Sequence, residues 1–380
     1  MIFCAIMIKE DIICEVIFMK RFIGFEHGMG IGGWLTNYKR FNVIPEDKRL
    51  VITVGDMEHF ESYITENDVK YIASLGMDHI RLGFDQIVIE EKPYLYRERI
   101  VELLCQFVDW CKKYNLNVVL NLHKAIGNYC DIKEKVQLLD DNDLQDRFIA
   151  LWTMLENRFS SYPGVAFEIL NEVRDVDPEK WNKLASKTVE AMRKINKDRI
   201  IIVGSTCWNS VNTLKDLKVF DDENVIYTFH VYEPFSFTHQ QGVLQDKTIY
   251  YNRKMPYPCD MDRYRDYERE IWNIDYAFPE FDVMGKDFMY SALAPAKEFC
   301  EKNPDKILWC GEFGTIRHAK IEWREAWMRD VISFLKYNSI PYCVWNYLST
   351  PNDGNRFSLV DDDTRKILSQ NLADIIVGNI

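Results

Sequence analysis

The 380-residue sequence lacks several features that would place it in a special class of protein. It has no run of about 18 apolar residues, the length that a membrane-spanning helix requires. Internal repeats and low-complexity tracts are absent, which argues against solenoids and disordered chains. None of its ten cysteines forms a CxxC pair, so we expect buried free thiols rather than metal ligands or disulfide bridges.

The sequence has fewer basic than acidic residues. The chain has 47 Lys and Arg against 59 Asp and Glu, which gives a net charge of −12. Such a surface repels phosphate backbones and anionic lipids, so we expect neither nucleic acid nor membrane partners. The hydrophobic share of 47% and the charged share of 28% are those of an ordinary globular protein, while the aromatic share of 14% is high.

Residues 1–23 resemble a targeting segment only superficially. Charged side chains between Lys9 and Glu15 interrupt each apolar run before it reaches the length of a signal-peptide core. We therefore expect a cytoplasmic protein, with secretion as the alternative, and treat residues 1–23 as an extension of unassigned role. Met19 is a second possible translation start.

Past residue 24, short apolar runs alternate with longer amphipathic stretches. The runs are apolar at nearly every position, which is typical of parallel strands covered on both faces. The predicted strands are 29–31, 79–84, 117–122, 165–170, 200–203, 225–230, 307–310 and 342–345. The main predicted helices are 65–75, 97–114, 143–161, 179–196, 292–302, 321–338 and 363–375, with a weak one at 210–217.

Eight such units predict an α/β fold, a (β/α)8 TIM barrel that forms one catalytic domain over residues 24–380. A doubly wound sheet is the alternative, but it would normally have fewer strands and a glycine-rich phosphate turn. The glycines at 28–33 lack the GxGxxG spacing. We interpret that segment as the first barrel strand with its exit turn.

One connection is unusually long. Nearly sixty residues separate the sixth strand from the next barrel helix, whereas barrel loops usually have two to six. Residues 250–290 contain 11 aromatic residues in 41 positions. We therefore expect an aromatic-rich subdomain at about 240–290, above the barrel mouth. Its rings either contact substrate or form the subdomain's own core, and the sequence leaves both open.

Polar residues follow several predicted strands, at the barrel face where enzymes of this fold build their sites. Glu172 follows strand four, and Glu312 lies near the end of strand seven. The polar residues near the ends of the other strands, together with the one that precedes Glu172, are Arg81, His123, Asn171, His230, Tyr232 and Trp345. Glycoside hydrolysis requires two carboxyl groups, one protonated to aid the leaving oxygen and one ionised. Two glutamates on opposite sides of one barrel mouth favour that chemistry.

These residues carry a resemblance to a known family. Segment 165–174, VAFEILNEVR, resembles the acid/base signature of glycoside hydrolase family 5, the cellulase A family, and WCGEFG at 309–314 resembles its nucleophile strand. The resemblance spans about residues 28–375. It also includes Gly32-Gly33-Trp34, His79–Leu82, Leu122-His123, His230–Tyr232 and Val344–Asn346. Segment 229–240 and the long insertion are most similar to the compact clostridial endoglucanase C type.

The resemblance implies a role for each matched residue. Glu172 would be the general acid/base, tuned by His230, and Glu312 the nucleophile, held ionised by Arg81 and Tyr232. The residues expected to bind sugar are His123, Asn171, Trp345 and Trp34. Trp208 joins them for a separate reason, since sugars stack on aromatic faces. The implied enzyme is a retaining hydrolase of β-1,4-glucans, of cellulose or mixed-linkage type, with carboxyl groups about 5–5.5 Å apart. It needs no metal or cofactor and is expected to be a monomer.

Three alternatives remain beside this interpretation. The same residues could serve mannan, glucomannan, xyloglucan or short oligosaccharides. A metal-dependent barrel hydrolase commonly has His-x-His on strand one, which Glu26-His27-Gly28 does not supply. A non-catalytic sugar-binding barrel would be expected to lose one carboxylate, and both are present.

Overall fold

The computed structural model describes residues 22–39, 44, 46–49, 51–130, 134–245, 248–249, 253–275, 277–350 and 355–378. Eight strands close into a barrel in which each strand pairs in parallel with its neighbours in sequence, and the last pairs with the first. They are β1 (His27–Leu35), β2 (His79–Asp85), β3 (Asn117–Lys124), β4 (Val165–Glu168), β5 (Ile201–Gly204), β6 (Val225–Val231), β7 (Leu308–Phe313) and β8 (Tyr342–Val344). The predicted (β/α)8 barrel is confirmed. The predicted extension lies outside the described residues except for its last two.

Helices follow the strands on the outside of the barrel. They are α1 (Glu66–Ser74), α2 (Glu98–Lys113), α3 (Asn142–Phe159), α4 (Pro178–Arg193), α5 (Ala294–Lys302), α6 (Ile321–Tyr337) and α7 (Gln370–Val377). A 3-10 helix, Val211–Asp216, follows β5 in place of a full α-helix. A further nine-residue helix, Val54–Ser62, lies between β1 and α1, and four-residue helices are Glu46–Arg49, Gln86–Ile89, Thr206–Asn209 and Phe235–Thr238. A small antiparallel pair, Glu90–Lys92 with Leu95–Tyr96, lies between β2 and α2.

The last helix begins later than its prediction of 363–375. Asp361 accepts hydrogen bonds from the backbone and hydroxyl of Thr364, which makes a turn rather than a helix start. Asp362 pairs with Arg317 instead. The helix begins only after Ser369, whose hydroxyl accepts from the amide of Leu372 and so caps it.

The amino end of the barrel is filled by apolar side chains. Phe22 and Phe25 stack on each other with ring centroids 4.2 Å apart, and the edge of Phe22 meets Trp309. The other buried side chains of this cluster are Val119, Ala166, Ile202, Ile226, Ile307 and Cys343. Several strands contribute to the cluster, so it ties the barrel together beneath the mouth.

The long insertion contains its own elements. Among the described residues these are Val243–Gln245 paired with Thr248–Ile249, Cys259–Asp260 paired with Val283–Met284, and helices Asp262–Trp272 and Lys286–Ala292. Tyr257, Tyr264 and Tyr267 are buried, and the Tyr257 hydroxyl donates to Asp330 on α6. Tyr257 therefore joins the insertion to α6, whereas Tyr264 donates to the carbonyl of Pro256 and Tyr267 packs under Arg253, both within the insertion.

The structure also bears on membrane-spanning helices and on the cysteines. In the described part of the chain, no helix combines the length and apolar character needed to cross a bilayer. The eight cysteines there are free thiols, four of them buried and four half-buried.

Candidate active site

Arg81 lies at the centre of a buried cluster at the carboxyl end of the barrel. It is on β2, and its side chain is inaccessible to solvent. Its Nε and Nη2 donate to the two oxygens of Glu168 at 2.6 and 2.9 Å, and its Nη1 donates to Glu312 at 2.6 Å. Burial alone would lower the pKa of Arg81, but the charges of Glu168 and Glu312 outweigh burial and raise it. Arg81 is therefore a fixed cation.

Glu312 reaches this cluster through an irregularity in β7. Trp309 points into the barrel and Cys310 packs outside it, so simple alternation would turn residue 312 outward. The pairing with β6 shifts register between Cys310 and Glu312, as a β-bulge does. Glu312 thereby faces Arg81 and accepts a second hydrogen bond, at 2.6 Å, from the hydroxyl of Tyr232.

Both donors to Glu312 are held in their donating forms. Burial, with the charge of Glu312, raises the pKa of Tyr232 well above its usual value, so its hydroxyl stays protonated. Each oxygen of Glu312 accepts one of these hydrogen bonds. A carboxyl group that only accepts is in its ionised form.

Glu172 lies four residues past the end of β4, beside His230. One of its oxygens is 3.0 Å from Nδ1 of His230, and its side chain is 17% exposed. Burial lowers the pKa of His230 to about 4, so this ring is neutral at pH 5 and above. A neutral imidazole nitrogen can donate to an ionised Glu172 or, as the other tautomer, accept from a protonated one. The contact therefore suits a carboxyl group that gains and loses a proton.

Glu172, His230 and Glu312 each place a potential ligand atom within 4.8 Å of the others. Within the described residues, these three side chains have the spacing of a possible metal site. These ligand atoms do not favour a metal ion, because each oxygen of Glu312 already accepts a hydrogen bond, one from Arg81 and one from Tyr232. The short separation instead brings two carboxyl groups together in one cleft.

Trp345 and His123 form the floor beside these carboxyl groups. Their rings are nearly parallel, with centroids 5.4 Å apart. The Trp345 ring lies so close to β1 that a Cβ at Gly30 or Gly32 would come within 2.8 or 2.6 Å of it. The glycines of β1 thus make room for this indole. Burial and the charge of Lys124 hold the pKa of His123 well below its usual range, so its ring is neutral.

Two predicted sugar-binding tryptophans have different fates. Trp208 is 42% exposed, and its loop is fastened next to Glu172: its amide donates to the carbonyl of Val173, and its indole donates to that of Cys130. Trp34 is 1% exposed, donates to the carbonyl of Phe60 and packs in the main core. The expectation that Trp34 binds sugar is wrong, because its ring has no face open to the cleft.

Sequence reasoning missed the residues that support the site. Glu168 lies within the apolar run that predicts strand four, but in the structure it shares the inward face of β4 with Ala166. That period-two alternation was the available signal. Asn37 lies 3.3 Å from Nε2 of His123 and also accepts a hydrogen bond from Lys124. It follows β1 in a loop, and no sequence pattern marked it.

Comparison with known proteins agrees with this geometry. A family model described as cellulase, glycosyl hydrolase family 5, matches residues 49–350, which is more than half of the chain. The chain belongs to glycosyl hydrolase family 5. Like other members of this cellulase family, it is a glycosidase built on a TIM barrel, as the sequence motifs indicated.

Several relatives in family 5 match over most of their length. Endoglucanase C of Acetivibrio thermocellus is 36% identical over 93% of this chain and 98% of its own. Endoglucanase C307 of Clostridium sp. strain F1 matches to the same extent, which agrees with the endoglucanase C type indicated by the sequence. Cellodextrinase A of Ruminococcus flavefaciens is 28% identical over 81% of both chains.

Solved structures share the fold. A Thermotoga maritima Cel5A structure superposes with a TM-score of 0.69 and 24% identity, covering 93% of this chain and 97% of its own. The cellulose synthase subunit Z of Clostridioides difficile gives a TM-score of 0.68 at 19% identity, over 94% and 99% of the two chains. At these identities the likeness concerns the barrel alone.

Proposed function

We propose that this family 5 glycosidase hydrolyses β-1,4-linked glucans, of cellulose or mixed-linkage type, with retention of configuration. The observation that carries the proposal is the pair of Glu172 and Glu312 oxygens within 4.8 Å of each other. Inverting enzymes need about 6.5–9.5 Å between the carboxyl groups, to leave room for a water molecule, and retaining enzymes about 5–5.5 Å. The short distance supports a double displacement.

In the first step Glu312 is the nucleophile. Its carboxylate oxygen bonds to the anomeric carbon as the glycosidic carbon–oxygen bond breaks, and Glu172 gives its proton to the departing oxygen. Arg81 and Tyr232 aim Glu312 by one hydrogen bond to each oxygen. The product of this step is a glycosyl ester on Glu312, with Glu172 left ionised.

In the second step Glu172 is the base. It removes a proton from water as the water oxygen attacks the anomeric carbon and displaces Glu312. His230, at 3.0 Å, remains neutral at working pH and can hydrogen-bond Glu172 in either protonation state. Both glutamates then return to their starting forms.

The sugar at the cleavage point is proposed to lie on the Trp345 ring, since sugars stack on aromatic faces. The oxygen of the Asn171 amide is taken by Arg81 at 2.5 Å. The amide nitrogen of Asn171 is then the group left to donate to a sugar hydroxyl, and His123 offers a second contact. Trp208, half-exposed beside Glu172, is proposed to contact the leaving-group side of the chain.

The glucan assignment draws on the relatives. Those at 36% identity are named endoglucanases and another a cellodextrinase, and both names refer to glucan chains. The cellodextrinase supports a second candidate, short oligosaccharides rather than polymer. Mannan, glucomannan and xyloglucan are the competing substrates with the same catalytic groups.

Two measurements test the proposal. NMR of the first anomer released from a cello-oligosaccharide should show the β form, and an α form would exclude double displacement. Rates on barley β-glucan and carboxymethylcellulose should exceed those on glucomannan and xyloglucan. A higher rate on either of the latter pair would replace the glucan assignment, and action confined to oligosaccharides would favour the second candidate.

A further inference from the structure

A third glutamate, Glu168, lies behind the proposed catalytic pair. It is the last residue of β4, is fully buried, and stands four positions before Glu172. Both of its oxygens accept hydrogen bonds from Arg81, at 2.6 and 2.9 Å. The same guanidinium donates to Glu312 at 2.6 Å. One buried positive charge is therefore shared between two carboxylates.

Lys124 brings a second positive charge to the edge of this cluster, beside His123. The histidines, the cysteine and the tyrosine around Arg81 are neutral at pH 7. Burial lowers the pKa of three histidines on β2, β3 and β6: His79, His123 and His230. Burial raises the pKa of two acidic groups, Cys343 on β8 and Tyr232 just after β6. The charge balance here therefore depends on Arg81, on Lys124 beside His123, and on the carboxyl groups of Glu168, Glu312 and Glu172.

We infer that Glu168 is a positioning residue that holds Arg81 in place and takes up part of its charge, so that Glu312 stays reactive. A bidentate carboxylate fixes the plane of a guanidinium, which here aims the remaining donors at Glu312 and Asn171. A carboxylate that faced the whole charge of a buried Arg would be a poorer base and nucleophile. The inference rests on the proposed role of Glu312.

Replacing Glu168 by Gln tests the inference, because the side chain keeps its shape and loses its charge. The full charge of Arg81 then faces Glu312, so the acidic limb of the kcat/KM profile should move about one pH unit lower. The kcat at the optimum should fall about tenfold or more, because a weaker nucleophile reacts more slowly. A purely structural role would lower stability without moving the limb.

Glu156 provides a matched control outside the site. It is fully buried on α3 and accepts from Nε and Nη2 of Arg199 at 2.9 and 3.1 Å. Glu156→Gln removes the same kind of buried pair, so it should lower Tm comparably while the pH profile stays in place. A limb that moves equally in both variants, or does not move in Glu168→Gln, overturns the inference.

Glu168→Asp separates charge from reach and decides the matter if the Gln variant does not fold. It keeps the charge but shortens the side chain, so the acidic limb should stay near its wild-type pH while kcat falls. A wild-type kcat in this variant contradicts a positioning role. If wild-type activity does not depend on Glu312, the proposed function fails. If it does, and the Glu168 variants behave as wild type, only this inference fails.

Discussion

The two ends of the barrel interior are both buried, yet one is lined mainly by apolar side chains and the other by charged ones. At the amino end, Phe22, Phe25 and Ile202 exclude water mainly with apolar surface, and the ring of His79 packs beside Phe25. At the carboxyl end, the equally inaccessible Arg81 and Glu168 are held by hydrogen bonds and charge. Apolar packing needs no exact partner, whereas a buried charge is costly unless it is paired.

A single strand can contribute side chains to both the apolar end and the charged end. On β7, Trp309 belongs to the amino-end cluster, and three residues later Glu312 belongs to the charged cluster. The register shift between them turns the side chain of Glu312 inward, toward Arg81. Changes at the amino end should therefore affect stability, whereas changes at the carboxyl end should affect turnover.

The largest effect is expected from the two glutamates at the mouth. Glu172→Gln and Glu312→Gln should each lower kcat on barley β-glucan by about 10³-fold or more, because each removes a group that acts on the reacting atoms. The fold should be kept, as judged by circular dichroism and Tm. A variant that retains a tenth of wild-type activity would contradict its assigned role.

The two variants should differ on an activated aryl glycoside. A good leaving group needs little protonation, so Glu172→Gln should still form the glycosyl ester, whereas Glu312→Gln should not. A burst of released aryl alcohol in Glu172→Gln is the measurement. Equal losses in the two variants would refute this division of acid and nucleophile.

The amino end gives the opposite expectation. Phe25→Ala should lower the free energy of unfolding by about 3–5 kcal/mol, because it leaves a cavity beneath Phe22 and His79. The kcat of the folded enzyme should stay within about twofold of wild type. Phe25→Leu, which keeps most of the volume, should lose much less stability. A large loss of kcat in a stable Phe25→Ala protein would erase the contrast between the two ends.

The predictability of the two regions from sequence also differs. The strands and most helices were predictable because continuous apolar runs and one-sided helices report burial directly, as for β6 and α2. The start of α7 was missed because an acidic turn at Asp361 resembles a helix cap. Local side-chain hydrogen bonds serve turns and caps alike, so the sequence does not distinguish them.

The two glutamates at the barrel mouth were predictable from the sequence, whereas the residues that hold the site's other side chains in place were not. Glu172 and Glu312 were found because strand ends of a barrel meet at one face. Glu168 and Asn37 act through Arg81 and His123, across contacts between residues about 87 positions apart. Trp34 was misplaced because a motif gives a residue's neighbours in sequence but not the direction of its ring.

The carboxyl end also predicts a dependence of stability on pH. Burial lowers the pKa of His239, which packs on Phe235 behind Tyr232, to about 3. The unfolded chain takes up a proton as pH falls through about 6.5, while the folded chain does not until about pH 3. This histidine should therefore cost about 2 kcal/mol of folding stability at pH 5 relative to pH 7.

His239→Gln cannot take up that proton. The stability difference between wild type and this variant should therefore move in favour of the variant between pH 7 and pH 5, as measured by urea unfolding. His318→Gln is the control, because His318 is exposed at the protein surface, so its removal should change the stability difference between the two pH values less. A difference that stays constant with pH would mean that His239 is charged in the folded protein.

The smallest effect is expected at the rim, where Trp208 and Trp272 are half-exposed to nearly the same extent, 42% and 44%. Trp208 is fastened beside Glu172 through the carbonyls of Val173 and Cys130, whereas Trp272 ends a helix of the insertion whose tyrosines are buried. Trp208→Ala should lower kcat/KM on polysaccharide about tenfold and change little on a short aryl cellobioside, since binding energy far from the reacting bond is lost. Trp272→Ala should stay within about twofold on both substrates. An equal loss on polysaccharide in the two variants would instead extend the sugar-binding cleft across the insertion.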